Sequence, residues 1–254
     1  MDSPFKFIQV NNDPDLLKKT YRLRFEVYCE ETKFISADEY PDKLETDAYD
    51  QSNRSLCFAA IDNEKNLVGS IRLILGSDLP FPLEKMCPTM SINTKNIPKD
   101  NIAEISRLVI QKAKRRRPED GLFGVESYLP QKEGGVMSGP NISSPKQKQQ
   151  IQEKRKNPAI ILGLYRAMYQ ASKKQGLTHW YAAMEKKLWY ALKRFAFPFT
   201  PIGPEIDYYG PVIPYLGEIK EIENMVLKTN PKMIAYMMDG LDKKYHPRDA
   251  DIAD

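Results

Sequence analysis

FKFIQV (residues 5–10), apolar at four of six positions, predicts a short strand closed by Asn11, Asn12 and Asp13. The period then changes. Asp13 followed by Pro14 is a helix start, and Leu17, Tyr21, Phe25 and Tyr28 recur at helical spacing, so an amphipathic helix is expected over 14–30. Arg24 and Tyr28, four apart, would share a face of it. Residues 31–54 are polar and acidic without a period and read as a long loop. LCFAAI (56–61) and LVGSIRLIL (67–75) are strand-like, and the turn-prone Asp62–Asn66 between them predicts a hairpin. Leu79–Pro98 is proline-rich and irregular, and AEISRLVI (103–110) is again a strand.

The pattern is lost over 112–157, where glycines, prolines and the polar run KQKQQIQEKRK read as an insertion, partly helical or disordered. Asn157-Pro158 opens a helix that Gly176 closes. THWYAAM (178–184) is a strand, EKKLWYALKRFAF a helix stopped at Pro198, and residues 199–219 a proline-rich strand pair. Two tail helices, about 217–228 and 231–244, break at Asn230-Pro231. Strands interleaved with helices make an α/β or α+β layer protein with a central sheet flanked by helices. The expected division is a main domain over 1–216, carrying the insertion, and a C-terminal helical extension over 217–254.

Composition narrows the chemistry. Hydrophobic residues are 41% and charged residues 28% of the 254-residue chain, as in ordinary globular proteins. No apolar run approaches the roughly 20 residues that cross a bilayer. The N-terminus lacks the basic start and apolar stretch of a signal peptide, so a cytoplasmic protein is expected. Cys29, Cys57 and Cys87 are odd in number and lack C-x-x-C spacing, which speaks against a disulfide framework or a zinc site. Of the two histidines, His179 in an aromatic strand reads as a packed core residue, and no G-x-S-x-G elbow supports a nucleophilic serine. Net charge is only +4, yet Lys112, Lys114, Arg115, Arg116 and Arg117 form one basic run, and Lys146–Lys156 holds another. Such clusters attract acidic partners. Neither run carries the aromatics that would stack on single-stranded nucleic acid, so no nucleic-acid partner is expected.

The informative polar residues stand in apolar contexts: Arg24 on the first helix, Arg72 in a hairpin strand, Glu104 and Arg107 in the next strand. Charged side chains are seldom buried unless paired, so these suggest a pocket lined by both signs. The alternative is the exposed face of an antiparallel sheet, where alternating charges are ordinary.

In order and spacing, Arg24, Tyr28, Phe34, Asp47-Ala-Tyr-Asp50, Gly69-Ser-Ile-Arg72 and Glu104-Ile-Ser-Arg107 resemble the motif set of acyl-homoserine-lactone (autoinducer) synthases. The stretches LGLYRAMYQASKKQGLTHWYAAMEKKL and RFAFPFTPIGPEIDYYGPVIPYLG are similar to PEP-CTERM/exosortase-associated acyltransferases and N-acyl amino acid synthases. The resemblance covers roughly residues 15–220 apart from the insertion and implies a GNAT-like acyltransferase fold. It implies transfer of a long-chain acyl group from a thioester to an amine, with no metal or redox cofactor. Tyr28 and Phe34 stand where autoinducer synthases have phenylalanine and tryptophan, which turns the expected acceptor from S-adenosylmethionine toward an amino acid or similar small amine.

Glu104 is the expected base. Arg24, Tyr28, Phe34, Asp47, Asp50, Arg72 and Arg107 are the expected substrate-binding set, with Arg24 and Arg72 on the acceptor's carboxylate and Arg107 a clamp on Asp47 or Asp50. Where GNAT enzymes carry a glycine-rich coenzyme A loop, this chain reads Gln111-Lys-Ala-Lys-Arg-Arg. A glycine-poor basic loop suits docking of an acidic acyl carrier protein better than cradling a pyrophosphate. Coenzyme A nonetheless stays open as donor. A lactone synthase and a non-catalytic carrier-binding protein are the rival readings. Glu104 and Arg107, three apart, would face opposite ways in a regular strand, so a bulge is expected if both serve one site. Tyr165, Met168, Tyr169, Trp180 and Tyr181 are candidates for the wall of an acyl tunnel.

Overall fold

The computed structural model describes residues 4–90, 96–114 and 157–247. One mixed sheet organises them. Its strands are β1 (Phe5–Gln9), β2 (Ser55–Asp62), β3 (Leu67–Leu75), β4 (Ile102–Ile110), β5 (His179–Met184), β6 (Thr200–Pro201), β7 (Ile206–Asp207) and β8 (Pro211–Glu218). The order across the sheet is β1-β2-β3-β4-β5-β8-β6, with β7 also on β8. The β4–β5 pair is parallel, and its neighbours are antiparallel.

Helix α1 (Pro14–Phe25) starts where Asp13 and Pro14 dictate, the Asp13 carboxylate accepting the Leu16 amide at 3.0 Å. The α-helix ends at Phe25, and residues Glu26–Glu31 continue as a π-helical turn, so the expected helix over 14–30 changes hydrogen-bond period near its end. In β2, Cys57 and Ala59 face the α1 side while Phe58 and Ala60 face the opposite side, the period of two expected of a strand covered on both faces. Helix α2 (Pro82–Met86) is a short turn of helix in the proline-rich segment.

Helix α3 (Asn157–Lys174) covers the face opposite α1. Helix α4 (Lys186–Arg194) ends before Phe197, with Ala196 at φ +61° turning the chain out. Two tail helices, α5 (Ile219–Thr229) and α6 (Pro231–Met238), lie in the same apolar cluster as α3, the first break falling at Asn230-Pro231 as expected and α6 stopping short of Gly240.

Two irregularities of β4 set up the site. Ser70 pairs with Val109 but Arg72 with Ser106, so β4 carries one more residue than β3 between those pairs. The bulge sits at Arg107, whose φ is +53°. Because of it, Arg107 turns to the side of the sheet that Glu104 and Ser106 already share, while Leu108 and Ile110 keep to the α3 side. The bulge on which a shared site for Glu104 and Arg107 depended is present. The second irregularity is that β4 and β5 pair only from Ile102/His179 to Ile105/Ala182, beyond which no ladder joins them.

Candidate active site

Three arginines converge from three elements: Arg24 from the last turn of α1, Arg72 from the middle of β3, and Arg107 from the β4 bulge. Three carboxylates of the loop between α1 and β2 meet them. Arg24 Nη1 donates to both Asp50 oxygens (3.0 and 2.9 Å). Arg72 holds Asp47 through Nη1 (2.7 Å) and Nη2 (2.8 Å), Asp50 through Nη1 (2.8 Å), and Ser106 Oγ through Nε (3.0 Å). Arg107 Nε donates to both oxygens of Glu45 (3.0 and 3.1 Å), and its Nη2 to Asp47 (3.3 Å). The Arg107 guanidinium also lies over the rings of Tyr28 and Tyr209, 5.7 and 5.4 Å from their centroids.

Burying so many charges is tolerable only because each is paired and their signs balance. The consequence is positional: the acidic loop is tied to the sheet at three points. Burial alone would raise the Asp47 pKa, but the hydrogen bond and charge of Arg72 and the charge of Arg107 outweigh it and hold this carboxyl well below the usual range.

This geometry changes the role expected of two residues. Arg24 and Arg72 engage the chain's own Asp47 and Asp50 rather than standing open to an acceptor carboxylate: both are fully buried, and their N–H groups point to these carboxylates, Ser106 and Cys57. Arg107 does clamp Asp47, as its spacing suggested, and holds Glu45 more fully. Glu45 is fully buried and was missed in the sequence because charged loops are ordinarily solvated.

Glu104 stands apart from the network on the same side of β4. It is 1% exposed, with Ile74 and Tyr181 as its register partners on β3 and β5. Burial pushes its pKa up to about 8, against the Leu83 amide and the charges of Arg72 and Arg107, which pull it down.

A cavity of about 320 Å³ opens where β4 and β5 part. This is within the range of small-molecule sites. Its polar end holds Glu104, Ser106, Arg107 and Tyr208, with Tyr28, Phe34 and Tyr209 around it. Phe34 and Tyr209 are 44% and 41% exposed and belong to its rim. The Tyr208 hydroxyl is pushed up to about 12 by burial. The cavity continues to the α3 face, lined by Tyr165, Met168, Trp180, Leu192 and Met237. Of the tunnel candidates, Tyr165, Met168 and Trp180 line it. Tyr169 instead donates its hydroxyl to buried Glu223 at 2.6 Å, and Tyr181 turns to the other side against Phe81. Phe197, Phe199, Tyr208 and Tyr209, which also line the cavity, were not singled out in the sequence.

Lys112 and Lys114 lie on a short 3-10 turn after β4, Lys112 exposed and Lys114 within 3.7 Å of Asp62. Arg115, Arg116 and Arg117 fall outside the described residues, as does nearly all of the expected insertion. His179 is half-buried at the start of β5, 2.7 Å from the Thr178 hydroxyl, and is not the packed core residue expected. Among the described residues, no cluster of His, Cys, Asp and Glu side chains could hold a metal ion, and no helix is long and apolar enough to cross a membrane.

Residues 23–122 match the acetyltransferase (GNAT) domain family. The chain has a GNAT-like acyltransferase fold. The solved structures like this acyltransferase extend the likeness of fold over the whole chain. BjaI, a CoA-dependent acyl-homoserine lactone synthase solved with SAM and isopentyl-CoA, has a TM-score of 0.57 at 18% identity over 99% of this chain and 98% of that one. TofI, in a ternary complex with an inhibitor and MTA, has a TM-score of 0.59 at 13% identity over 95% and 98%. FeeM, an N-acyl amino acid synthase from uncultured soil microbes, has 0.54 at 10% identity over 88% and 94%. No curated protein matches the acyltransferase in sequence.

Proposed function

We propose that this acyltransferase moves a long-chain acyl group from an acyl carrier protein thioester to the amine of an amino acid or similar small amine. The observation that carries the reading is the buried carboxyl of Glu104, with its pKa of about 8, at the polar end of a cavity whose remainder is apolar. An amine is largely protonated at neutral pH and must lose a proton to attack a thioester. Glu104 in its ionised form takes that proton, directly or through a water. The amine nitrogen then bonds to the carbonyl carbon. Backbone N–H groups at the Arg107 bulge face the developing oxyanion, the C–S bond breaks to release a thiolate, and the thiolate takes up the proton that the attacking nitrogen gives up. The apolar end takes the acyl chain.

Lys112 and the basic residues after it favour an acidic carrier as donor, and the cytoplasmic location belongs to the same reading. Coenzyme A remains the donor to compare, as BjaI is described as CoA-dependent. The experiment is to incubate the purified protein with acyl carrier and coenzyme A thioesters and a panel of amines, following thiol release and product mass. An N-acyl amine is the expected product, and Glu104→Gln should lower turnover by about 10²–10⁴-fold. A lactone product would favour an autoinducer-type synthase, and unchanged turnover in Glu104→Gln would remove Glu104 as the base.

A further inference from the structure

The proline-rich segment after β3 has no part in the acyl-transfer scheme so far, yet it lies against Glu104. Phe81 and Leu83 are fully buried there with Ile74, Ile102, Tyr181 and Ile202. These partners surround Glu104: Ile74 and Tyr181 are its neighbours across the sheet, and Ile102 precedes it by two on the same face. The Phe81 ring meets Tyr181 edge-on at 5.4 Å, which fixes α2 over the strand. The Tyr49 hydroxyl donates to the Pro80 carbonyl at 2.9 Å and ties the segment to the acidic loop. Within the turn, Pro82 has no N–H, and the Phe81 amide is taken by Glu84 at 2.9 Å. The Leu83 amide donates instead to Glu104 Oε2, at 2.9 Å inside the apolar cluster.

We propose that the Leu83 amide is the positioning group for Glu104: it fixes Oε2 and leaves Oε1 as the oxygen that meets the acceptor's proton. The inference rests on reading Glu104 as the base. A donor aimed at one carboxylate oxygen sets the rotation of the carboxyl and favours its ionised form within an apolar box. The other charged or titratable groups acting on Glu104 are Arg72 on β3, Arg107 on β4, Glu84 on α2 and Tyr208 beside β7.

The contact is testable without turnover. In the protein labelled with 15N-leucine, the Leu83 amide proton should shift with pH around a midpoint near 8, following Glu104, and the shift should vanish in Glu104→Gln. A Leu83 resonance that stays flat through that range overturns the proposal. Replacing the Leu83 amide by an ester deletes the donor and little else. It should move the alkaline-rising limb of kcat/KM upward by about one pH unit, a share of what two or three such bonds do to a carboxylate. Leu83→Ala, which keeps the amide, should leave the limb in place even if it weakens the fold. A limb that does not move in the folded ester variant sinks the positioning role. If the unaltered enzyme has no such limb, the base assignment fails, and the amide titration still decides the contact.

Discussion

Burial raises the Glu104 pKa to about 8 from an ordinary 4.5, and its effects on rate and on stability run in opposite directions with pH. The base is active as the carboxylate, so kcat/KM should climb toward a midpoint near 8. Folding favours the neutral acid, so Glu104 stabilises the fold fully below its unfolded pKa, and that contribution is lost as pH rises through the folded value. Across that window the loss is on the order of 5 kcal/mol. Glu104→Gln cannot ionise and should show a flatter profile: urea unfolding of the two proteins at acid and alkaline pH should find the variant gaining on the parent as pH rises. Equal pH slopes would show that the carboxyl is not held neutral by the fold. At this scale the sequence was legible in part. Glu104, Arg72 and Arg107 betrayed themselves as charges in apolar strands, but which partner each would take was not written in spacing. Arg24 and Arg72 were free to bind a substrate until the loop's carboxylates were seen to fill them.

The regular elements were legible because their signals are local: the Asp13-Pro14 start of α1, the apolar run of β2, the glycine after α3. Gly176 shows how complete such a signal can be. Its amide bonds to the Lys173 carbonyl (3.2 Å) and the Leu177 amide to the Ser172 carbonyl (3.0 Å), and its φ is +71°. That is a Schellman closure, in which the left-handed residue favours glycine. A Cβ at Gly176 would touch nothing within 4 Å. The cost of Gly176→Ala is therefore backbone conformation alone: about 1 kcal/mol in unfolding free energy with turnover unchanged. A loss several times larger would mean that the closure carries tertiary contacts beyond its geometry. Less legible were elements whose cause lies elsewhere in the molecule. The π-helical turn after α1 follows no residue signal in the pattern, and two-residue strands such as β6 and β7 exist only because β8 lies beside them. The β4 bulge was inferable, since two charged residues three apart could serve one face only if a residue were inserted between β3's pairs.

At the scale of the whole molecule, the site joins two layers that the strand order alone would keep apart. The cavity begins beside Glu104 on one side of the sheet and ends on the other, where α3 and α6 lie. Met237, 3% exposed, belongs to that far end. Its place is fixed from both sides: Gln170 of α3 donates to the Met237 carbonyl at 3.0 Å, and Lys173 and Tyr169 hold Glu223 of α5 at 2.8 and 2.6 Å. The tail helices expected as an extension over 217–254 thus contribute a wall to the cavity through α6. If the apolar end receives the acyl chain, Met237 limits how far the chain reaches. Shortening it should open room for about two further methylenes, each contributing about 0.8 kcal/mol when buried, or roughly fourfold in kcat/KM. Met237→Ala should therefore move the preferred chain length upward in a series of acyl thioesters, and Met237→Trp should move it downward. A uniform fall in rate at every length, with the optimum unmoved, would mean that Met237 only supports the fold and that the chain ends elsewhere.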